Sequence, residues 1–257
     1  EGIDTDTTQT DHGCGMVAVG VPVGSDHYKT NHMSKKAEFL EKDLQTLTRL
    51  LSKGQTQLQL AMALTLWCDH PRIDYLLQNV MPEFTKEAAA RVDAAILKAM
   101  DTITDQNLSD MPEEDIIRQR IKLPVRMFGG GIRSKKEMAS ICYLAQNVKN
   151  LRSMADKEDV ETGDITKGFN NDVFTRLTIS GDGITLDEKN FTDGRSAIGS
   201  AVLRAYEEAK KHAGHPKDEH QLFAKTIGEV LQLDYREVQE LMTDQVEQFK
   251  MKQLNDV

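Results

Sequence analysis

No Cys-x-x-Cys spacing and no even set of cysteines occurs in this chain, whose three thiols are Cys14, Cys68 and Cys142. That argues against a disulfide framework and a thiolate zinc site, and it fits reduced thiols in an intracellular compartment, nucleus or cytoplasm. Long apolar runs are also missing. No stretch approaches the ~20 residues a membrane helix needs, and no charged-then-apolar leader opens the chain, so no membrane partner is expected. Aromatics are scarce at 5%, with Trp67 the only tryptophan, and cations are in deficit, 32 Lys and Arg against 41 Asp and Glu for a formal charge of −9. Phosphate contacts need clustered Lys and Arg, so a nucleic-acid surface would have to be local. Repeats of 20–50 residues, low-complexity tracts, an adjacent Asp-Asp pair, and GxSxG, HExxH or EF-hand spacings are all absent, which removes solenoids and several hydrolase and metal classes. The opening Glu1-Gly2-Ile3 lacks a methionine and reads as the start of a processed or excised piece.

What is present suits one large or two modest helix-rich domains: 257 residues, 39% apolar and 28% charged, enough to bury a real core. Residues 1–12 are polar and aperiodic, a loose lead-in. Val17, Val19, Val21 and Val23 alternate up to Gly24, which predicts a short strand leaving through a turn. From Ser34 the period changes, with Ala37, Leu40, Leu44, Leu47 and Leu51 on one helical face and a stop at Gly54. A more apolar helix runs from Leu58 through Trp67 to Pro71, and a short piece spans Ile73–Val80. Thr85 can cap a long helix striped by Val92, Ile96, Met100 and Ile103. Asp110, Pro112 and Glu113 predict another start, and Ser134 with Glu137 has capping-box spacing before Met138, Ile141, Cys142 and Ala145.

The aperiodic charged stretch at 147–165 is the natural division. Beyond it, LTISGDGITL is either a short hairpin around Gly181-Asp182-Gly183 or a loop. Helices are expected from Asp193 or Ser196 to His212, from about Asp218, and from Asp234, which has capping-box spacing to Glu237. The expected architecture is mainly α: a lead-in over 1–12, a helical domain over 13–146 with a short β element near its start, and a helical region over 147–257.

The candidate chemistry centres on Leu123–Ala145. Gly129, Gly130 and Gly131 before a helix present flexible N–H groups near a positive helix end, the requirement for holding a phosphate. The spacing is not GxxxxGK[ST], and a helix-initiating turn capped by Ser134 is the simpler reading. Around it Arg118, Arg120, Lys122, Arg126, Arg133, Lys135 and Lys136 form the one dense basic run of an acidic chain. Elsewhere the residues favour structure over chemistry. His212, His215 and His220 match no standard zinc spacing, Cys68-Asp69-His70 reads as a core cysteine beside a helix-end histidine, and Asp4 and Asp6 read as solvated. No catalytic residue and no metal ligand is assigned.

GMVAVGVPVGSDHY, LWCDHPRIDYLLQNVMP, TKEAAARVDAAILKAMDTI and RIKLPVRMFGGGIRSKKEMASICYLA, in this order, together resemble the region after the catalytic motif in reverse transcriptases of non-LTR retrotransposons, over about residues 13–146. The resemblance implies the end of a palm followed by a thumb-like helical bundle. It implies primer-end contact near Val19, Gly20, Pro22 and Gly24, and a structural or backbone-binding role for Leu123, Pro124, Arg126, Gly129, Gly131, Ile132 and Arg133. Val19 stands where the family usually has Leu, Phe128 where Gly is common, and Gly130 where Leu is common. The family's paired catalytic aspartates are not in this chain. The resemblance therefore implies a non-catalytic fragment that binds an RNA–DNA or DNA duplex through the Arg118–Lys136 run, within a parent whose RNA-directed DNA polymerase activity would need upstream carboxylates and Mg²⁺; this chain itself needs no cofactor. The alternative is an element-derived helical module that docks protein partners through amphipathic helices without binding nucleic acid.

Overall fold

The structure is a computed structural model that describes residues 14–51, 55–155, 177–180, 183–186, 194–213 and 235–255. It is mainly helical, with a two-stranded sheet near the N-terminus and a long helix near the C-terminal end. The lead-in over 1–12, Asp4 and Asp6, the stop at Gly54, Gly181-Asp182, His215, His220, the start at Asp218 and the cap at Asp234 lie outside the described residues. Two compact units divide the chain, Glu1–Ala139 with Lys250–Val257 as the first and Ser140–Phe249 as the second.

In the first unit the valine alternation gives two strands rather than one. Strands β1 (Gly15–Ala18) and β2 (Val21–Gly24) pair antiparallel, with Val17 opposite Pro22 and Ala18 opposite Val21. Val19 and Gly20 between them take φ of 51° and 80°, the two-residue turn whose twist matches the flanking strands. Gly20 adopts this without cost, whereas Val19 is β-branched and strained there. The Tyr75 hydroxyl holds the Val19 carbonyl at 2.9 Å.

Helix α1 (Asp26–Leu51) begins well before Ser34, because the Ser25 hydroxyl accepts the Tyr28 N–H at 3.2 Å and caps the first turn. Met33, Ala37, Leu40, Leu44 and Thr48 bury one face of it. Next along the chain come α2 (Gln55–Leu64), a π-helical turn (Thr65–Asp69), a 3-10 turn (His70–Ile73) and α3 (Asp74–Asn79). Pro71 does not end the helical path, since a first-turn proline lacks only an N–H that has no partner there. The π turn inserts an extra residue into the helical repeat and so changes which side faces inward. Asp69 and His70 are buried while Trp67 is 78% exposed. Cys68 is exposed as well, which corrects its reading as a core thiol.

Helix α4 (Pro82–Thr104) starts at proline, and Thr85 is not its cap but a buried residue of the first turn, its hydroxyl donating to the Pro82 carbonyl at 3.4 Å. Val92, Ile96 and Met100 lie on its buried face, and α1 and α4 form the principal packed pair. Arg91 ties the two together, donating to Ser34 Oγ at 3.0 Å and to Glu41 at 3.2 Å. The next start lies later than Asp110. Helix α5 (Ile116–Ile121) is capped by Asp115, whose carboxylate accepts the N–H groups of Ile117 and Arg118 at 2.8 and 3.4 Å, while Pro112 sits in the turn before it.

Helix α6 (Lys135–Ala155) runs unbroken through the division expected at 146/147 and crosses the boundary between the two units. Its residues Ile141, Cys142, Leu144, Ala145 and Val148 are buried in the second unit. That unit also holds the antiparallel hairpin β3 (Leu177–Ser180) and β4 (Gly183–Leu186), with Ser180 opposite Gly183. Helix α7 (Gly194–Ala213) buries Val202, Ala205, Tyr206 and Ala209, and α8 (Tyr235–Asn255) buries Val238, Met242 and Val246. Gln239 of α8 reaches the Cys142 sulfur at 4.0 Å. Within the first unit Lys250 pairs with Glu137.

Candidate nucleic-acid interface

The glycine run is a turn whose N–H groups are already occupied. Gly129 N–H donates to the Pro124 carbonyl at 3.1 Å, Gly130 to Arg120 at 3.4 Å, Gly131 to Leu123 at 2.8 Å and Ile132 to Ile121 at 3.2 Å. Arg120 and Ile121 close α5, and the last carbonyls of a helix lack intrahelical donors. The loop thus folds back to satisfy the end of α5 and turns its donors inward, away from any phosphate. Only glycine fits at 129, where a Cβ would lie 2.2 Å from the Leu123 carbonyl oxygen. Leu123, Pro124 and Ile132 are buried and fasten the loop to the core.

The positive end of α6 is occupied too. Asp93, projecting from α4, accepts the Lys135 N–H at 2.7 Å, the Lys136 N–H at 3.1 Å and the Ser134 hydroxyl at 2.7 Å. Ser134 Oγ in turn accepts the Glu137 N–H at 3.4 Å, the bond its spacing to Glu137 implies. A carboxylate at a helix N-terminus satisfies both the unpaired donors and the dipole. Burial pushes the Asp93 carboxyl above its ordinary value even though the Lys135, Ser134 and Lys136 bonds pull it down. No feature of the sequence singled out Asp93. It sits beside Val92 in an alanine-rich helix, and its partners lie 41 to 43 positions away.

The cations divide by exposure. Lys135 leaves the basic run, because its side chain is buried and its ammonium pairs with Asp74 at 2.5 Å. Helix neighbours point about 100° apart, so Lys135 turns inward where Lys136 turns out. Arg118 is half-buried, its guanidinium donating to the Met111 carbonyl. Lys122 and Arg133 are half-buried, and Arg120, Arg126 and Lys136 are exposed. No aspartate or glutamate occurs between Asp115 and Glu137, so this surface is basic without local neutralisation in sequence. Phe128 closes the 3-10 turn Val125–Met127 with φ of 58° and is 82% exposed, the feature here that composition alone did not bring forward.

The hairpin presents Val19 at its tip, with Gly20 and Gly24 exposed and Pro22 buried. At Gly24, with φ of 149°, a Cβ would lie 2.4 Å from the Cys14 carbonyl oxygen. No cluster of three or more His, Cys, Asp or Glu side chains that could hold a metal ion occurs among the described residues, and no described helix is long and apolar enough to cross a membrane.

His70 is buried with Nε2 2.9 Å from the Arg133 carbonyl, joining the π-turn region to the basic segment. Burial holds the imidazole below its ordinary value, the Lys135 charge adding to the effect, although the Arg133 carbonyl and Asp74 pull the other way. A depressed histidine favours folding when neutral, so its contribution is present above pH about 6.5 and is lost as pH falls through the folded value. Urea unfolding followed by helicity should show stability falling from pH 7 to pH 5, and His70→Gln should flatten that slope.

Comparison with protein-family models, with curated proteins and with solved structures finds no match to this chain.

Proposed function

We propose that the first unit is a thumb-like, non-catalytic part of a reverse-transcriptase-like protein that grips a nucleic-acid backbone through Arg120, Lys122, Arg126, Arg133 and Lys136. The observation that supports this reading is the acid-free run from Ile116 to Lys136, which carries exposed Arg120 at the end of α5, Arg126 in the 3-10 turn and Lys136 at the start of α6, around a loop fastened to the core by Leu123, Pro124 and Ile132. Cations on a rigid support neutralise phosphates without reading sequence, which is the grip a polymerase thumb needs. The grip comes from side chains, since the glycine N–H groups and the α6 terminus have partners within the chain. Nucleotide addition would require paired carboxylates and Mg²⁺, which this reading assigns to a parent protein.

A salt titration against a blunt RNA–DNA hybrid tests the reading. Affinity should fall steeply with ionic strength, and changing Arg120, Arg126 and Lys136 together to Gln should flatten the log–log slope by about 2–3, near 0.9 per lost phosphate contact. Lys135→Met should leave the slope unchanged, because that ammonium faces Asp74. No binding at low salt would reject the proposal. It would favour the second reading, a protein-docking helical module, for which the 78%-exposed Trp67 and half-exposed Leu60 are the supporting observation.

A further inference from the structure

Phe128 is the anomaly of the basic segment. Its backbone sits in the left-handed region at φ 58°, costly for a residue with a Cβ, and its ring is 82% exposed. Neither fact helps folding, since glycine would take that backbone freely and the ring gains little from burial. The turn beneath it is nevertheless firm. Met127 and Phe128 donate to the Pro124 and Val125 carbonyls at 2.9 Å, Gly129 donates back to Pro124 at 3.1 Å, and Leu123 anchors the base at 0% exposure. An exposed ring on a fixed backbone thus stands on the segment that carries exposed Arg120, Arg126 and Lys136.

We infer that Phe128 is a stacking platform for an unpaired base, so that the nucleic acid bound here carries a single-stranded stretch. The inference rests on the nucleic-acid reading above and narrows its ligand. Inside a duplex every base face is covered by its neighbours, and a protruding ring meets only groove edges and phosphates. A single strand offers open π-faces, to which an aromatic ring adds affinity without sequence preference while nearby cations follow the backbone. The positive charge of the acid-free segment that carries the ring favours this polyanion over an apolar protein partner, and the preformed turn lowers the ordering cost of binding.

The test compares a blunt RNA–DNA hybrid, the same hybrid with a single-stranded overhang, and the free overhang strand, using wild type, Phe128→Gly and Phe128→Trp. Phe128→Gly relieves the backbone, so it should fold at least as well as wild type by thermal melting. The wild type should prefer the overhang hybrid and the free strand to the blunt one. Phe128→Gly should lose roughly 5- to 150-fold in affinity for those two ligands, the range of a single base–aromatic stack, with its blunt-hybrid affinity and salt slope unchanged. Phe128→Trp should keep the preference. If Phe128→Gly retains the wild-type ratio of overhang to blunt binding, the platform is wrong while backbone binding stands. If none of the three ligands binds at low salt, the nucleic-acid reading falls and takes the platform with it. Loss of binding to anionic vesicles in Phe128→Gly, with strand binding unaffected, would make the ring a membrane wedge and overturn the inference.

Discussion

Asp93→Ala should lower the stability of the first unit by about 2–3 kcal/mol, because it strips two backbone N–H groups and one hydroxyl of a shared charged acceptor. The three bonds run at 2.7, 3.1 and 2.7 Å from Lys135, Lys136 and Ser134, and they hold the start of α6 against α4. Loss of a helix cap alone accounts for about 1 kcal/mol, and the charge-assisted bonds raise the total. The effect stays below their simple sum, since burying the carboxylate has its own cost, visible in the upward displacement of its titration. Asp93→Asn keeps one acceptor oxygen and should lose less. Urea unfolding followed by far-UV circular dichroism measures both, and an Asp93→Ala midpoint equal to wild type would remove the clamp from any account of this fold.

Gly129→Ala should be at least as damaging, about 3 kcal/mol, by overpacking rather than by a lost bond. The new methyl would lie 2.2 Å from the Leu123 carbonyl oxygen and 2.5 Å from the Leu123 Cβ. A backbone oxygen cannot rotate aside, so the loop or the end of α5 must move. Movement would break the Gly130–Arg120 and Ile132–Ile121 bonds that lie next to it. Gly131→Ala makes the informative comparison. Its added Cβ would lie 3.3 Å from Val125 Cγ2, a side-chain atom that can shift, although its φ of 78° keeps the change unfavourable. The expected order of stability is wild type, then Gly131→Ala, then Gly129→Ala, by the same unfolding measurement.

Local signals carried well from sequence to structure, and distant ones did not. The Ser134–Glu137 spacing reports a bond within one helical turn, and the Val92, Ile96, Met100 stripe reports one face of one helix. Both can be read because their causes lie three or four residues apart. The early start of α1 at Asp26 was hidden by a polar opening turn, whose signal is the single Ser25 cap. Lys135 looked like part of a cationic surface because composition does not distinguish adjacent helix positions. Its inward direction follows from Asp74, 61 positions away. Cys68 is exposed rather than in the core because a period of 3.6 residues does not hold across the π turn. The glycine run had two physical readings, and what separates them is where its N–H groups point, which depends on α5 ending close by.

The placement of the single indole has a practical corollary. With Trp67 78% exposed, its emission should already lie near that of indole in water and should move little when urea unfolds the chain, so intrinsic fluorescence reports poorly on folding here. The same exposure makes the ring a built-in sensor of contact. Any macromolecule that covers the π turn should shift the emission to the blue.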